Sequence, residues 1–342
     1  MRKLVYMWIR GQAPHWFREV LPENYPMELY DPAKEYNLDT VFYYDMYGDY
    51  RETMATYLAR GHRVVLDAKN EHYIPFRFHW MFLLFLQYPG QTMILISGDC
   101  AKQISGIRIQ ATPYWYWILD QSRLRTIKLD QYQPNPKQEK KFFMSLGKSR
   151  LHRDYLYDSL RDLLQDSVHS YLGRGISLPN DWYTGMGGAF DRYVNTDWLD
   201  RTCFTLAVET YIDNYIDGTD INYGFSLTQN DHLFLCEKTY KPIACKHPLL
   251  MVSTQGNLSH LRSQGFETYP ELWDESYDDI PDWQKRIDQV IQIVRDFDPR
   301  ALDNPIVQEK LLHNSARFFD KELRTHLLNS TIIDPLLEFV NA

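Results

Sequence analysis

Short apolar runs and stretches of helical spacing alternate along this chain. Lys3 to Ile9 is rich in Val, Ile and aromatic residues and closes at Gly11, which predicts a first strand; Asp39 to Tyr44 repeats the pattern. Tyr50 to Arg60 has helical spacing and stops at Gly61, a suitable C-terminal cap. Val64 to Asp67 predicts a strand, His79 to Gln87 a buried helix broken by Pro89-Gly90, and Met93 to Ser97 another strand. The second half restarts with a strand at Lys141 to Leu146, a turn at Gly147 to Arg150, a helix at His152 to Gln165 and a strand at Ser167 to Leu172. Further strands are predicted at Phe204 to Tyr211, Leu249 to Val252 and Phe266 to Thr268. Helices are predicted at Glu237 to Lys246, Asn257 to Ser263, Gln284 to Phe297 and Val307 to Leu328. In the Gln284 helix, Ile287, Val290, Ile291 and Val294 form one apolar stripe. Strands alternating with helices predict α/β structure with parallel sheets wound on both faces.

At 342 residues, two domains are expected. Leu129 to Lys141 is polar with two prolines and is the best linker, which places the domains at 1–138 and 139–342. The formal charge of −8 lowers the expectation of non-specific nucleic-acid binding. Aromatics reach 15 %, enough for rings that stack on sugars or bases, or simply for a Tyr-rich core. Cys100, Cys203, Cys236 and Cys245 form no zinc pattern and read as reduced, buried thiols. The N-terminal residues lack signal-peptide character, and the apolar run Trp80 to Leu86 falls far short of the ~20 residues of a membrane span, so a cytoplasmic protein is expected, in the host cytoplasm if viral. The acceptor patterns at Asn257 and Asn329 are then chance matches to glycosylation sites.

Three groups of residues could carry chemistry. Lys148, Arg150, His152 and Arg153 crowd the predicted start of a helix, where positive charge is unfavourable unless an anion is bound. Glu237, Lys238 and Lys241 begin another helix: a carboxylate for hydroxyl groups beside cations for a diphosphate, or a plain Glu237–Lys241 pair. Pro242 then has to fall in that helix's first turn. Glu209 ends an apolar strand, the place where open α/β sheets bind ligands.

The order LAVETY, FLCEKTYKPIACKHPLLMV, QGNLSHLRSQGF resembles the donor-binding half of glycosyltransferases of the GT-B fold, and within them the α-1,3-fucosyltransferase family. The longer pattern through LRSQGFETYPELWDESYD also resembles uncharacterised glycosyltransferase-like proteins of bacteriophages and bacteria. The resemblance covers about residues 141–290. It implies two Rossmann-like domains facing across a cleft, an acceptor-side domain and a donor domain. The activity implied is transfer of a sugar from a nucleotide-sugar donor to a hydroxyl acceptor. Residue by residue, it implies that Arg153, with Arg150, contacts the donor diphosphate, that Glu237 binds ribose or sugar, that Lys238 contacts the diphosphate, and that Glu209 shapes the sugar site. The chain departs from the family at Thr210-Tyr211, where the family has Asn-Ser, at Pro242, and at Lys246-His247, where the family often has glycine. Fucose is therefore not carried over.

The catalytic base is sought among carboxylates at or after strand ends, Asp45, Asp67, Glu71 and Asp99, with Asp67 preferred. His152-Arg-Asp154 lacks the Asn a kinase loop needs, with Ser159 in its place. Asp296-Phe-Asp298 has metal-binding spacing but ends a helix, and no required metal is expected; the nucleotide-sugar is substrate, not cofactor. Gly185-Met-Gly187-Gly188 could cradle phosphate. Two alternatives stand beside this reading. One is an enzyme that glycosylates hydroxymethylated bases in DNA, using the basic tract Gln121 to Lys128. The other is a non-catalytic nucleotide- or carbohydrate-binding protein.

Overall fold

The computed structural model describes residues 2–7, 25–45, 50–72, 79–98, 107–178, 194–210, 212 and 233–342. The chain forms two compact units, 1–115 with 322–342, and 116–321. Relative to the expected ranges, residues 116–138 group with the second unit and the C-terminal 21 residues with the first. The reason for the former is visible in the supposed linker. Asn135 N donates to Asp200 Oδ1 (2.9 Å), Lys137 Nζ pairs with Asp197 (2.6 Å), and the Tyr132 carbonyl accepts from Lys246 Nζ (2.7 Å). A polar segment with its backbone engaged in this way belongs to the body that engages it.

Among its described residues the first unit holds six parallel strands: β1 (Lys3–Met7), β2 (Met27–Leu29), β3 (Thr40–Asp45), β4 (Arg63–His72), β5 (Thr92–Ser97) and β6 (Arg108–Thr112), in the order β2-β1-β3-β4-β5-β6. Every residue of β5 is buried, as expected of a parallel strand covered on both faces. Helix α1 (Arg51–Ala59) joins β3 to β4, and α2 (His79–Leu86) joins β4 to β5. Gly61 ends α1 at φ +89°, with Gly61 N bonded to Leu58 O and His62 N to Tyr57 O, the glycine stop read from the sequence. Much of the aromatic excess is core here: Phe42 stacks on Tyr57 (3.8 Å), and Phe42, Tyr43 and Tyr44 are fully buried.

The second unit holds β7 (Lys140–Leu146), β8 (Ser167–Tyr171), β9 (Thr202–Val208) and β10 (Leu249–Val252), all parallel, in the order β10-β9-β7-β8. Its helices are α3 (Trp115–Thr126), α4 (Leu151–Ser159), α5 (Thr196–Asp200), α6 (Glu237–Ala244), α7 (Asn257–Ser263), α8 (Trp283–Asp296) and α9 (Pro305–Phe318). The predicted stripe of α8 is buried, and α6 lies against α9 through Tyr240 and Phe318 (6.2 Å). Residues 266–268 form no strand. Their polar groups go elsewhere: Glu267 N to Asn314 Oδ1 (2.7 Å), and Thr268 Oγ1 to Glu275 (2.8 Å). Asn257, one of the two glycosylation matches, is fully buried and cannot carry a glycan in this fold.

Pro242 stands in the second turn of α6, not the first. Its missing N–H costs one helical bond in a helix that ends two residues later, where Cys245 N still reaches Lys241 O (3.1 Å) and His247 N reaches Pro242 O (3.0 Å). Lys246 takes the left-handed conformation (φ +55°) after this helix, and its bond to Tyr132 offsets the strain.

After α9, helix α10 (Lys321–Leu328) widens into a π turn at Asn329–Ile333 and continues as α11 (Asp334–Asn341). Pro335, which can donate no helical bond, is the second residue after that turn. Helix α11 is fastened to the first sheet by Arg63 Nη1 to Phe339 O (2.6 Å) and an Arg108–Glu338 ion pair (2.6 Å).

One close approach shapes the loop after β7. Gly173 N donates to Gly147 O (2.9 Å), and a Cβ on Gly173 would stand 2.4 Å from Ser149 N. Because the obstacle is backbone, Gly173→Ala is expected to displace the 147–150 turn and lower stability by about 1–3 kcal/mol. Urea denaturation of the variant measures this; an unchanged midpoint would show that the turn is freely displaced.

Candidate functional site

Strand order decides where a ligand can enter the second unit. From β7 the chain runs through α4 to β8 on one side, then crosses to β9 on the other. The carboxyl ends of β7 and β9 therefore flank a topological switch point, the crevice where open α/β sheets bind ligands. Gly147 to Arg150 and the start of α4 follow β7, and Glu209 follows β9.

The two strand ends are tied together. The Glu209 carbonyl accepts from His152 Nε2 (3.2 Å) and Arg153 Nη2 (3.3 Å), while Arg153 Nη1 donates to Lys148 O (3.1 Å). Since a carbonyl only accepts, His152 carries its proton on Nε2. Burial, reinforced by the Arg153 charge, holds the His152 pKa down at about 3, so the ring stays neutral. Arg153 is 3 % exposed, has no carboxylate partner among the described residues, and keeps its buried Nε without a hydrogen-bond partner among them. Burial and then the Arg150 charge push its guanidinium below the ordinary value. Arg150 is the N-cap residue of α4, in extended conformation and without a side-chain cap bond.

Glu209 does not present its carboxylate to solvent: the residue is fully buried. Oε1 accepts from Cys236 N (3.0 Å) and Thr239 Oγ1 (2.7 Å), and Oε2 accepts from the Cys236 thiol (2.6 Å). These donors lie at the start of α6, whose N-cap, Cys236, makes no cap bond of its own. Burial and the Glu209 charge raise the Cys236 thiol well above its ordinary value, so it remains a protonated donor. Next to it, Lys238 Nζ donates to Glu237 Oε1 (2.7 Å) and to Cys236 Sγ (3.1 Å). The two side chains of this pair are only 15 % and 11 % exposed. Burial opposes ionisation of Glu237, but the Lys238 and Lys241 charges prevail and hold its pKa at about 2. Lys238 is the cation bonded to Glu237, and Lys241 lies in the last turn of the same helix.

The structure thus brings Arg150, Arg153, Glu209, Glu237, Lys238 and Lys241 onto the elements around one switch point. Asp67 belongs to the first unit, on β4. It is buried and accepts from Tyr43 OH (2.6 Å), which comes from the neighbouring strand on the same face. Asp45 pairs in register with Asp67. Asp99 and the glycines Gly185, Gly187 and Gly188 lie outside the described residues. Asp296 ends α8 and Asp298 caps the following turn through Arg300 N (3.0 Å), so this pair is helix-end structure. In the basic tract at the end of α3, Gln121 is bonded to the carbonyls of Phe318 and Asp320, and Arg125 to Asp130 and the Phe319 carbonyl. Among the described residues no three His, Cys, Asp or Glu side chains converge on a metal position, and no helix is long and apolar enough to cross a membrane. Cys203, Cys236 and Cys245 are free and buried.

Sequence reasoning did not single out Cys236 or Thr239. The available signal was a helix start that lacks the usual Ser, Thr, Asp or Asn cap. The chain matches no protein-family model and no curated protein sequence.

Buried ionisable groups in this unit make its stability pH-dependent. His152 and His247 are held at about 3 and 4 by burial. Unfolded histidine titrates near 6.5, so below that pH the unfolded chain binds more protons and stability falls. Asp278, whose carboxyl is raised to about 6 by burial, acts oppositely: folded, it takes a proton that the unfolded chain does not. Asp278→Asn is therefore expected to steepen the acid loss by up to about 1 kcal/mol per pH unit between pH 6 and 4.5. Denaturation midpoints of both proteins across that range test this, and parallel slopes would refute it.

Proposed function

We propose that the chain is a glycosyltransferase of the GT-B class, taking a sugar from a nucleoside-diphosphate donor bound at the carboxyl edge of the β7–β10 sheet. The observation that carries this reading is Arg153, a buried guanidinium with no carboxylate partner among the described residues, at the switch point and beside the start of α4. A buried cation held only by carbonyls is costly, and a diphosphate would compensate it while accepting from the free N–H groups of the helix start. Lys238 adds a second nearly buried cation. The resemblance of the EKTYKPIA segment to donor-binding motifs points the same way.

In this reading Arg153, with Arg150, and Lys238, with Lys241, neutralise the diphosphate, and Glu237 accepts from ribose or sugar hydroxyls. The acceptor hydroxyl gives its proton to a general base. The acceptor oxygen bonds to the anomeric carbon, and the bond from that carbon to the phosphate oxygen breaks, its electron pair leaving with the nucleoside diphosphate. Charge grows on the leaving group, so preplaced cations lower the barrier. Protein cations can supply this compensation without a divalent ion. In the α3 tract on which the DNA-acceptor reading rests, Gln121 and Arg125 are engaged within their own unit.

Thermal-shift measurements with UDP, GDP, CDP, ADP and dTDP, with and without EDTA, test the reading. One diphosphate is expected to stabilise the protein by ~2.7 kcal/mol at 100 times its dissociation constant, regardless of EDTA. Arg153→Ala and Lys238→Ala should abolish that shift and cut turnover of the matching nucleotide-sugar by roughly 10²–10³. No shift with any diphosphate overturns the proposal.

A further inference from the structure

Glu209 sits where a ligand carboxylate is expected, yet its contacts lead inward. The carboxylate is fully buried and meets three donors of its own chain: Cys236 N, the Cys236 thiol and Thr239 Oγ1. We infer that Glu209, Thr239 and Cys236 form a clamp that positions the Lys238 ammonium for the donor diphosphate, and that Glu209 itself does not touch the ligand. This rests on the reading above.

The geometry carries the inference in three steps. First, the two oxygens of Glu209 take the N–H and the thiol of the same residue, which fixes both the backbone and the side chain of Cys236. Second, the Cys236 sulfur, having given its proton toward Glu209, accepts from Lys238 Nζ, so the position of Sγ sets one of the two anchors of the ammonium; Glu237 Oε1 is the other. Third, Thr239 holds Oε1 from one residue beyond Lys238 and locks the carboxylate against rotation. The negative charge also faces the amino end of α6, where the helix dipole favours it. Meanwhile the Glu209 carbonyl anchors Arg153 from the other helix. One residue thereby spaces the two cations that the diphosphate has to bridge. A serine or aspartate at position 236 would turn its side chain to the α6 backbone; the cysteine thiol instead meets Glu209 and Lys238.

The test uses inorganic pyrophosphate as a probe of the cation pair alone, by titration calorimetry on the full chain well below each variant's melting temperature. Thr239→Val keeps the side-chain shape and removes the hydroxyl. It is expected to weaken pyrophosphate about tenfold, comparable to loss of one buried hydrogen bond, with Thr239→Ser restoring wild-type affinity. Cys236→Ala is expected to weaken it similarly, and Lys238→Ala further. If Thr239→Val and Cys236→Ala melt at lower temperature but bind pyrophosphate like wild type, the clamp is only structural and the inference fails while the diphosphate site stands. If Lys238→Ala binds as tightly as wild type, there is no cation to position and the inference also fails. Absence of pyrophosphate and nucleoside-diphosphate binding by the wild-type protein overturns the proposed function itself.

Discussion

The second unit is organised around one buried residue, Glu209, whose two ends serve different helices. Its carbonyl receives His152 and Arg153 from the start of α4, and its carboxylate receives Cys236 and Thr239 from the start of α6. Its N–H closes on Val252 O of β10 (2.9 Å). A carboxylate in a dry interior is costly unless its lone pairs are matched, and here the matching donors come from residues 27 and 30 positions away. Removing the Cys236 thiol would take the donor from Oε2, and the shared donors hold the amino ends of two helices and the edge of a strand to one geometry.

That geometry gathers charge in an unequal way. Lys238 and Glu237 neutralise each other, whereas among the described residues the Arg153 guanidinium hydrogen-bonds only to carbonyls. Neutral His152 adds no charge beside it. With Arg150 and Lys241 included, four cations stand against the carboxylates of Glu209 and Glu237 around the end of the sheet where parallel α/β folds receive ligands, in a chain whose total formal charge is negative. Local placement rather than composition decides what such a surface attracts.

Much of the fold was legible in the sequence because parallel strands covered on both faces read as unbroken apolar runs. Thr92–Ser97, Thr202–Val208 and Leu249–Val252 are of this kind. Gly61 and the Ile287–Val294 stripe were equally plain. The rest depended on contacts that leave no periodic trace. Residues 132–139 look like a linker until Asp200 is seen to accept their donors. Phe266–Thr268 has strand composition but spends its polar groups on Asn314 and Glu275. For the site, strand-end logic located Glu209 and helix-start logic located Arg153 and Lys238. The inward direction of the Glu209 carboxylate is a matter of side-chain packing, and no local pattern encodes it.

The allegiance of residues 322–342 has a consequence for the order in which the chain can mature. Helix α11 is bonded to Arg63 and Arg108, residues synthesised more than two hundred positions earlier. During translation the six strands of the first unit emerge long before the helix that covers them, and the whole second unit is made in the interval. Until residues 322–342 are made, the first unit lacks a segment that belongs to it. The second unit, 116–321, is one uninterrupted stretch and can close ahead of the unit that began before it.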